Sequence, residues 1–99
     1  MIKHVVLWQL KEFATEMEKK QKIGEIKEAL EALPEKIVEI KGLEVFVNAN
    51  AAEKFDIMLE SSFENLEELA LYAKHPDHVA VGAIIKQAVV SRACVDYEI

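Results

Sequence analysis

Apolar and polar positions change period along the chain, and each change marks an element. Residues 2–10 (IKHVVLWQL) are rich in β-branched and aromatic side chains and predict a strand. After the short connection KEFA, Thr15 followed by Glu18 is a capping-box pattern and predicts the start of a helix. Ile23, Ile26, Leu30 and Leu33 then recur at spacings of three and four, one stripe of an amphipathic helix. Gly24 weakens that helix by about 1 kcal/mol, less than the stripe contributes. Pro34 ends it, because a proline forces the residue before it out of helical geometry. EKIVEIKG (35–42) reads as a loop or short turn closed by Gly42. LEVFVN (43–48) and KFDIMLESSF (54–63) predict two further strands, joined by the turn ANAAE. Asn65 can cap a short helix carrying Leu66, Leu69, Ala70 and Ala73.

Pro76 suits the first position of the next helix, where its missing N–H would have no partner anyway. That places His75 at the cap and His78 in the first turn, with Val79, Ile84, Ile85 and Ala88 as the apolar side. SRACVDYEI (91–99) closes the chain as a strand. The order β-α-β-β-α-α-β is the ferredoxin-like split βαβ plan with one extra helix before the last strand. It predicts an α+β fold, a single domain over residues 1–99, with an antiparallel sheet carrying its helices on one face.

Side chains alternate across a strand, so residue parity is a first guide to the two faces. The odd positions, among them Val5, Leu7, Val45, Ile57, Leu59 and Val95, are almost wholly apolar and are expected beneath the helices. The even positions mix Val6, Trp8, Phe46 and Met58 with His4, Asp56, Glu60 and Arg92. Each large apolar side chain left in water forgoes about 1.5–3 kcal/mol, whereas the charged ones suit no dry core. Both facts predict a homodimer through the even-numbered face, with a partly polar cavity retained.

Composition narrows the setting. Apolar residues make up 52% of the chain and charged residues 30%, which excludes disorder. Cys94 is the one cysteine, so no disulfide can form within the chain; a reducing, cytoplasmic compartment is expected. No stretch has the length and apolarity of a signal or membrane-spanning segment, so no membrane association is expected. The net charge of −6, with basic residues scattered among acids, argues against nucleic acid as a partner.

The chain resembles the stress-responsive dimeric α/β-barrel (Dabb) family. The residues that carry the resemblance are IKHVVLWQLK, ALPEKIVEIKGLEVFVN, HPDHV with the helix after it, and VDYEI, in that order and over essentially the whole chain. The resemblance implies a ferredoxin-like subunit, two sheets paired into a barrel, and an internal cavity. One plant member of the family is a polyketide cyclase in which histidines and a tyrosine promote an intramolecular aldol condensation. Its positions match His4, Tyr72 and His78 here, while a further histidine on its third strand is replaced by Asp56. More distant relatives of the fold include cofactor-independent monooxygenases and haem-degrading enzymes.

His78 is the foremost candidate for chemistry. In a helix's first turn the positive end of the dipole opposes protonation, and a neutral imidazole can take a proton from an acidic carbon. Tyr72 and His4 could orient and polarise a carbonyl beside it, with Val6, Trp8, Phe46, Asp56 and Met58 lining the site. Each also has a plainer reading: His78 and Tyr72 as packing groups at the helix junction, His4 as a structural histidine, Asp56 and Arg92 as an ion pair, Cys94 as an inert thiol. His75 reads as a cap, and His75-x-x-His78 lacks a third local ligand, so no metal is expected. No phosphate-cradling loop, CxxC pair or nucleophile elbow is present, and no cofactor is expected. The function expected is binding of a small apolar carbonyl compound, with acid–base chemistry on it if there is turnover. The alternatives are a structural or protective dimer without turnover and a cofactor-independent monooxygenase-like enzyme.

Overall fold

The computed structural model describes all 99 residues. The elements are β1 (Ile2–Leu10), α1 (Glu16–Glu31), β2 (Gly42–Val47), β3 (Ile57–Phe63), α2 (Leu66–Lys74), α3 (Pro76–Ala88) and β4 (Val89–Glu98). A single 3-10 turn, Leu33–Glu35, follows α1 and contains Pro34. The strands form one antiparallel sheet in the order β2-β3-β1-β4, the ferredoxin-like arrangement. The three helix starts are held as their sequences predict. Thr15 Oγ1 accepts from the Glu18 N–H at 3.1 Å, Asn65 Oδ1 from the Glu68 N–H at 2.9 Å, and His75 Nδ1 from the Asp77 N–H at 3.1 Å.

The register overturns the parity assignment. β1 pairs with β3 so that Val6 lies opposite Leu59 and Trp8 opposite Ile57. Even positions of β1 therefore share a face with odd positions of β3. β2 follows β3 in odd phase, with Val45 opposite Leu59, and β4 follows β1 in even phase, with Arg92 opposite Trp8. Parity orders residues within one strand; the phase between strands is set by the connections and the pairing. The helix-covered face is thus Ile2, His4, Val6, Trp8 and Leu10 beside Val45, Ile57, Leu59, Ser61 and Phe63, all buried. Ile26 and Leu30 of α1, Leu69 and Tyr72 of α2, and Val81 and Ile85 of α3 close over it.

The opposite face is bare. It carries Val5, Leu7, Phe46, Met58, Ala93, Val95 and Tyr97, the positions that pair in β1–β4, β1–β3 and β2–β3 on that side. Phe46 is 42% exposed, Val95 62% and Tyr97 44%. The expectation of one mixed, even-numbered face is corrected accordingly: its members divide between the core and this outer surface. Two helix stripes also differ from the expected ones. Leu66 and Val79 point to solvent; Leu69, Ile85 and Ala88 are buried as expected, and Tyr72 and Val81 join them.

β3 begins three residues later than its apolar run suggests, because Asp56 closes the sheet end. Its N–H donates to the Trp8 carbonyl at 2.8 Å, and its carboxylate accepts from the Leu10 N–H at 2.8 Å. Lys19 of α1 pairs with the same carboxylate at 2.9 Å and ties the helix to this end. Replacing Asp56 with alanine strips the Leu10 N–H of its acceptor, and hydrogen bonds to charged groups are worth about 1.5–3 kcal/mol. Asp56→Ala is expected to lower the urea-unfolding free energy by about 2 kcal/mol, and Lys19→Met by less than about 1 kcal/mol because that partner is solvated. Equal unfolding midpoints for the wild type and Asp56→Ala would contradict this account.

Candidate functional site

A cavity of about 410 Å³ lies between the sheet and the helices. Its volume falls within the range of small-molecule pockets. β1 contributes His4, Val6 and Trp8 to the wall because these alternate positions face the helices. α2 contributes Tyr72 one turn after Glu68, and α3 contributes His78 because Pro76 starts that helix two residues earlier. The Tyr72 and His78 ring centroids are 4.3 Å apart, and His4 meets Tyr72 edge-on at 6.2 Å. His4, Tyr72 and His78, expected together from the sequence, line the same cavity along with Val6 and Trp8.

The other three expected lining residues lie elsewhere. Phe46 and Met58 occupy a separate depression on the outer sheet face, since β2 and β3 carry their even positions there. Asp56 stands at the sheet end, in a polar cleft beside α1, bound to Leu10 and Lys19 rather than to Arg92. Arg92 itself lies on the cavity wall, as does Lys86.

The hydrogen bonds fix the two histidine tautomers. The His78 Nδ1–H donates to the Ala73 carbonyl at 3.0 Å, which leaves Nε2 as the acceptor nitrogen. Burial is the main cause holding His78 below the usual 6.5; the Ala73 carbonyl pulls the other way, and His4, Arg92 and His75 add to the depression. Desolvation is therefore the leading cause. The His4 Nδ1–H donates to the Asp96 carboxylate, again leaving Nε2 free of the chain. Asp96 faces His4 directly across β1 and β4. Its role needs the register and so could not be read from the sequence.

Tyr72 is the unusual member. It is 1% exposed, and its hydroxyl is buried with no hydrogen-bond partner. Burial pushes its pKa up to about 12, against a weaker opposing effect of Arg92. The phenol therefore stays protonated across the physiological range, a donor in search of an acceptor. An unpaired buried hydroxyl costs about 1–3 kcal/mol, and a functional role is one of the reasons native proteins retain such a group.

His4 Nδ1, Cys94 Sγ and an Asp96 carboxylate oxygen lie within 4.8 Å of one another and are the set that could hold a metal ion. Desolvation and then the Asp96 charge push the Cys94 thiol up, so at neutral pH it is a protonated thiol that donates weakly to Asp96. His75 and His78 each have Nδ1 engaged with backbone, on the Asp77 N–H and the Ala73 carbonyl respectively.

An antiparallel ferredoxin-like subunit with an apolar, histidine- and tyrosine-lined cavity on its helix side defines the structural class. The chain belongs to the stress responsive A/B barrel (Dabb) domain family, whose sequence model matches residues 2–99. A dimeric protein of unknown function and ferredoxin-like fold from Bacteroides fragilis is similar at 46% identity and TM-score 0.92, over 99% of this chain and 95% of that one. A dimeric ferredoxin-like protein of unknown function from Thermobifida fusca is 25% identical, with TM-score 0.84, over 99% and 90% of the two chains. A hydroxynitrile lyase from Passiflora edulis shares the fold at 16% identity and TM-score 0.83, over 99% of this chain and 92% of that one. No curated protein matches the sequence. No helix is long and apolar enough to cross a membrane.

Because the Tyr72 hydroxyl has no partner to lose, Tyr72→Phe is expected to leave the unliganded protein equally stable or up to about 1 kcal/mol more stable in chemical denaturation. A loss of about 1 kcal/mol or more would show that the hydroxyl is already satisfied.

Proposed function

We propose that the chain binds a small apolar, carbonyl-bearing compound in this cavity and acts on it by cofactor-independent acid–base chemistry. The observation that carries the reading is the buried, unpartnered Tyr72 hydroxyl beside the His78 ring. In this reading the Tyr72 O–H donates to the carbonyl oxygen of the ligand. His78 Nε2 takes a proton from the adjacent carbon, and the C–H electron pair moves to form an enolate whose oxygen Tyr72 stabilises. His4, held by Asp96, supplies a second imidazole nitrogen to orient the oxygen or return a proton. Removing water from Val6, Trp8 and Leu59 offsets the cost of desolvating the carbonyl. A reducing, cytoplasmic setting suits the single cysteine.

The protein is further proposed to act as a homodimer through the outer sheet face. The support is the apolar surface of exposed Phe46 and Val95 and half-buried Val5, Leu7 and Met58, together with the dimeric relatives. A second copy there would leave the helix-side cavity intact. The structural reading without turnover uses the same face and makes no demand on Tyr72 or His78.

Butyrophenone in D₂O tests the chemistry. Exchange of its α-hydrogens, followed by proton NMR, is expected to be accelerated by the wild type. His78→Gln should lower that rate about 100- to 1,000-fold, the scale of general acid–base catalysis. Since His78 must be neutral to act and burial holds it below 6.5, the wild-type rate is expected to reach half only below pH 6.5. Exchange that is equally fast in His78→Gln removes this histidine from the mechanism, and no acceleration by either protein favours the structural reading. For assembly, light scattering should give a dimer for the wild type and a monomer for Val95→Asp. A monomeric wild type at micromolar concentration overturns the proposed interface.

A further inference from the structure

The cavity is lined by two exposed cations that have no carboxylate within 4.0 Å. Arg92 lies on β4 opposite Trp8, and Lys86 lies in the last turn of α3; both line the cavity. Acidic side chains outnumber basic ones 18 to 12. Lys3, Lys19, Lys22 and Lys27 each have a carboxylate within 4.0 Å; the other eight basic side chains, Lys86 and Arg92 among them, have none. A cation near the C-terminal end of a helix has a local reason to be where Lys86 is. Arg92 has no such reason: it is an exposed strand residue opposite Trp8, at the cavity's edge. In a chain of net charge −6, a cavity lined by two cations and by no acidic side chain is a local reversal of the overall charge.

The placement of the two charges relative to Tyr72 sets the ligand's shape. His4 and Trp8 are four residues apart on β1, about 13 Å of strand. Arg92 starts beside Trp8, at the end of the wall away from His4, and its long side chain shortens that distance. It lines the same cavity as Tyr72 and His78. A molecule whose carbonyl meets Tyr72 can therefore extend an anionic group toward Arg92 within a few bonds. The guanidinium fork matches a carboxylate with two parallel hydrogen bonds, which a lone ammonium cannot do.

We propose that the Arg92–Lys86 end of the cavity binds a carboxylate of the ligand, so that the substrate class is an oxo acid with an apolar body. The inference rests on the reading of the cavity as a carbonyl-compound site and adds the charge of its ligand. Hydrogen-bonded to Arg92, the carboxylate anchors the molecule while the apolar part fills the space against Val6 and Trp8. Neutral ketones then enter the same space without the anchor.

Trp8 is the single tryptophan and lines the cavity, so its fluorescence reports binding directly. The probes are 4-oxo-4-phenylbutanoate and its primary amide, which share a shape and the ketone and differ in charge. The wild type is expected to bind the acid at least about tenfold more tightly than the amide, as one charge-assisted pair allows. That preference should shrink to about threefold or less in Arg92→Gln, and in the wild type binding should weaken at high salt for the acid alone. Lys86→Gln is expected to lower it by a smaller factor. Equal affinity for acid and amide in the wild type overturns the oxo-acid inference and leaves the carbonyl site standing. A preference that survives in the Arg92→Gln, Lys86→Gln double variant also overturns it. If neither probe binds, the carbonyl-site reading fails, and the inference fails with it.

Discussion

The register between β1 and β3 is the constraint on which the rest of the molecule depends. With Val6 opposite Leu59, the even positions of the first strand and the odd positions of the third are brought to one side and buried together. Each large apolar side chain so buried is worth about 1.5–3 kcal/mol, and a slip of one residue would turn the whole set outward. The same register carries His4 inward with its neighbours. It also leaves Val5, Leu7 and Met58 facing out, so one pairing decision creates both the cavity wall and the bare apolar sheet.

Within that frame the cavity is a place where stability has been given up locally. The Tyr72 ring packs against Phe63 at 4.9 Å and against His78, yet its hydroxyl finds no acceptor. Phenylalanine would fill the same volume without the desolvated O–H. The two nearby imidazoles are fixed in complementary ways: each uses Nδ1 to hold on to the protein and keeps Nε2 for something else. A donor that stays protonated and a base that stays neutral at the same pH form the pair needed to polarise a carbonyl and accept its neighbouring proton.

Local order in this protein is legible because local chemistry dictates it. Thr15, Asn65 and His75 cap the helices they were expected to cap, and Pro34 and Pro76 mark an end and a start. The ferredoxin-like order follows from those segments. Face assignment was not legible by parity, because parity says nothing of the phase between strands. That is why Phe46 and Met58 were expected beside Trp8 and lie on the other side of the sheet. Asp56 misled for a related reason: a carboxylate within an apolar run reads as a face residue, while here it terminates the strand and binds the Leu10 N–H. His4, Tyr72 and His78 were expected together from the pattern and the family resemblance, and they line one cavity. Asp96 and the Arg92–Lys86 pair were not, since a charge acquires its meaning from what stands across the sheet or across the cavity.

The central claim is that the Tyr72 hydroxyl is left unpaired in the chain in order to meet a ligand's oxygen. A crystal structure determined with saturating butyrophenone tests it most directly. The account predicts the ketone between Trp8 and α3, with its oxygen about 2.7–2.8 Å from Tyr72 Oη and its α-carbon toward His78 Nε2. A ketone bound in the cavity with its oxygen turned away from Tyr72, or a cavity holding only water at saturation, would contradict it.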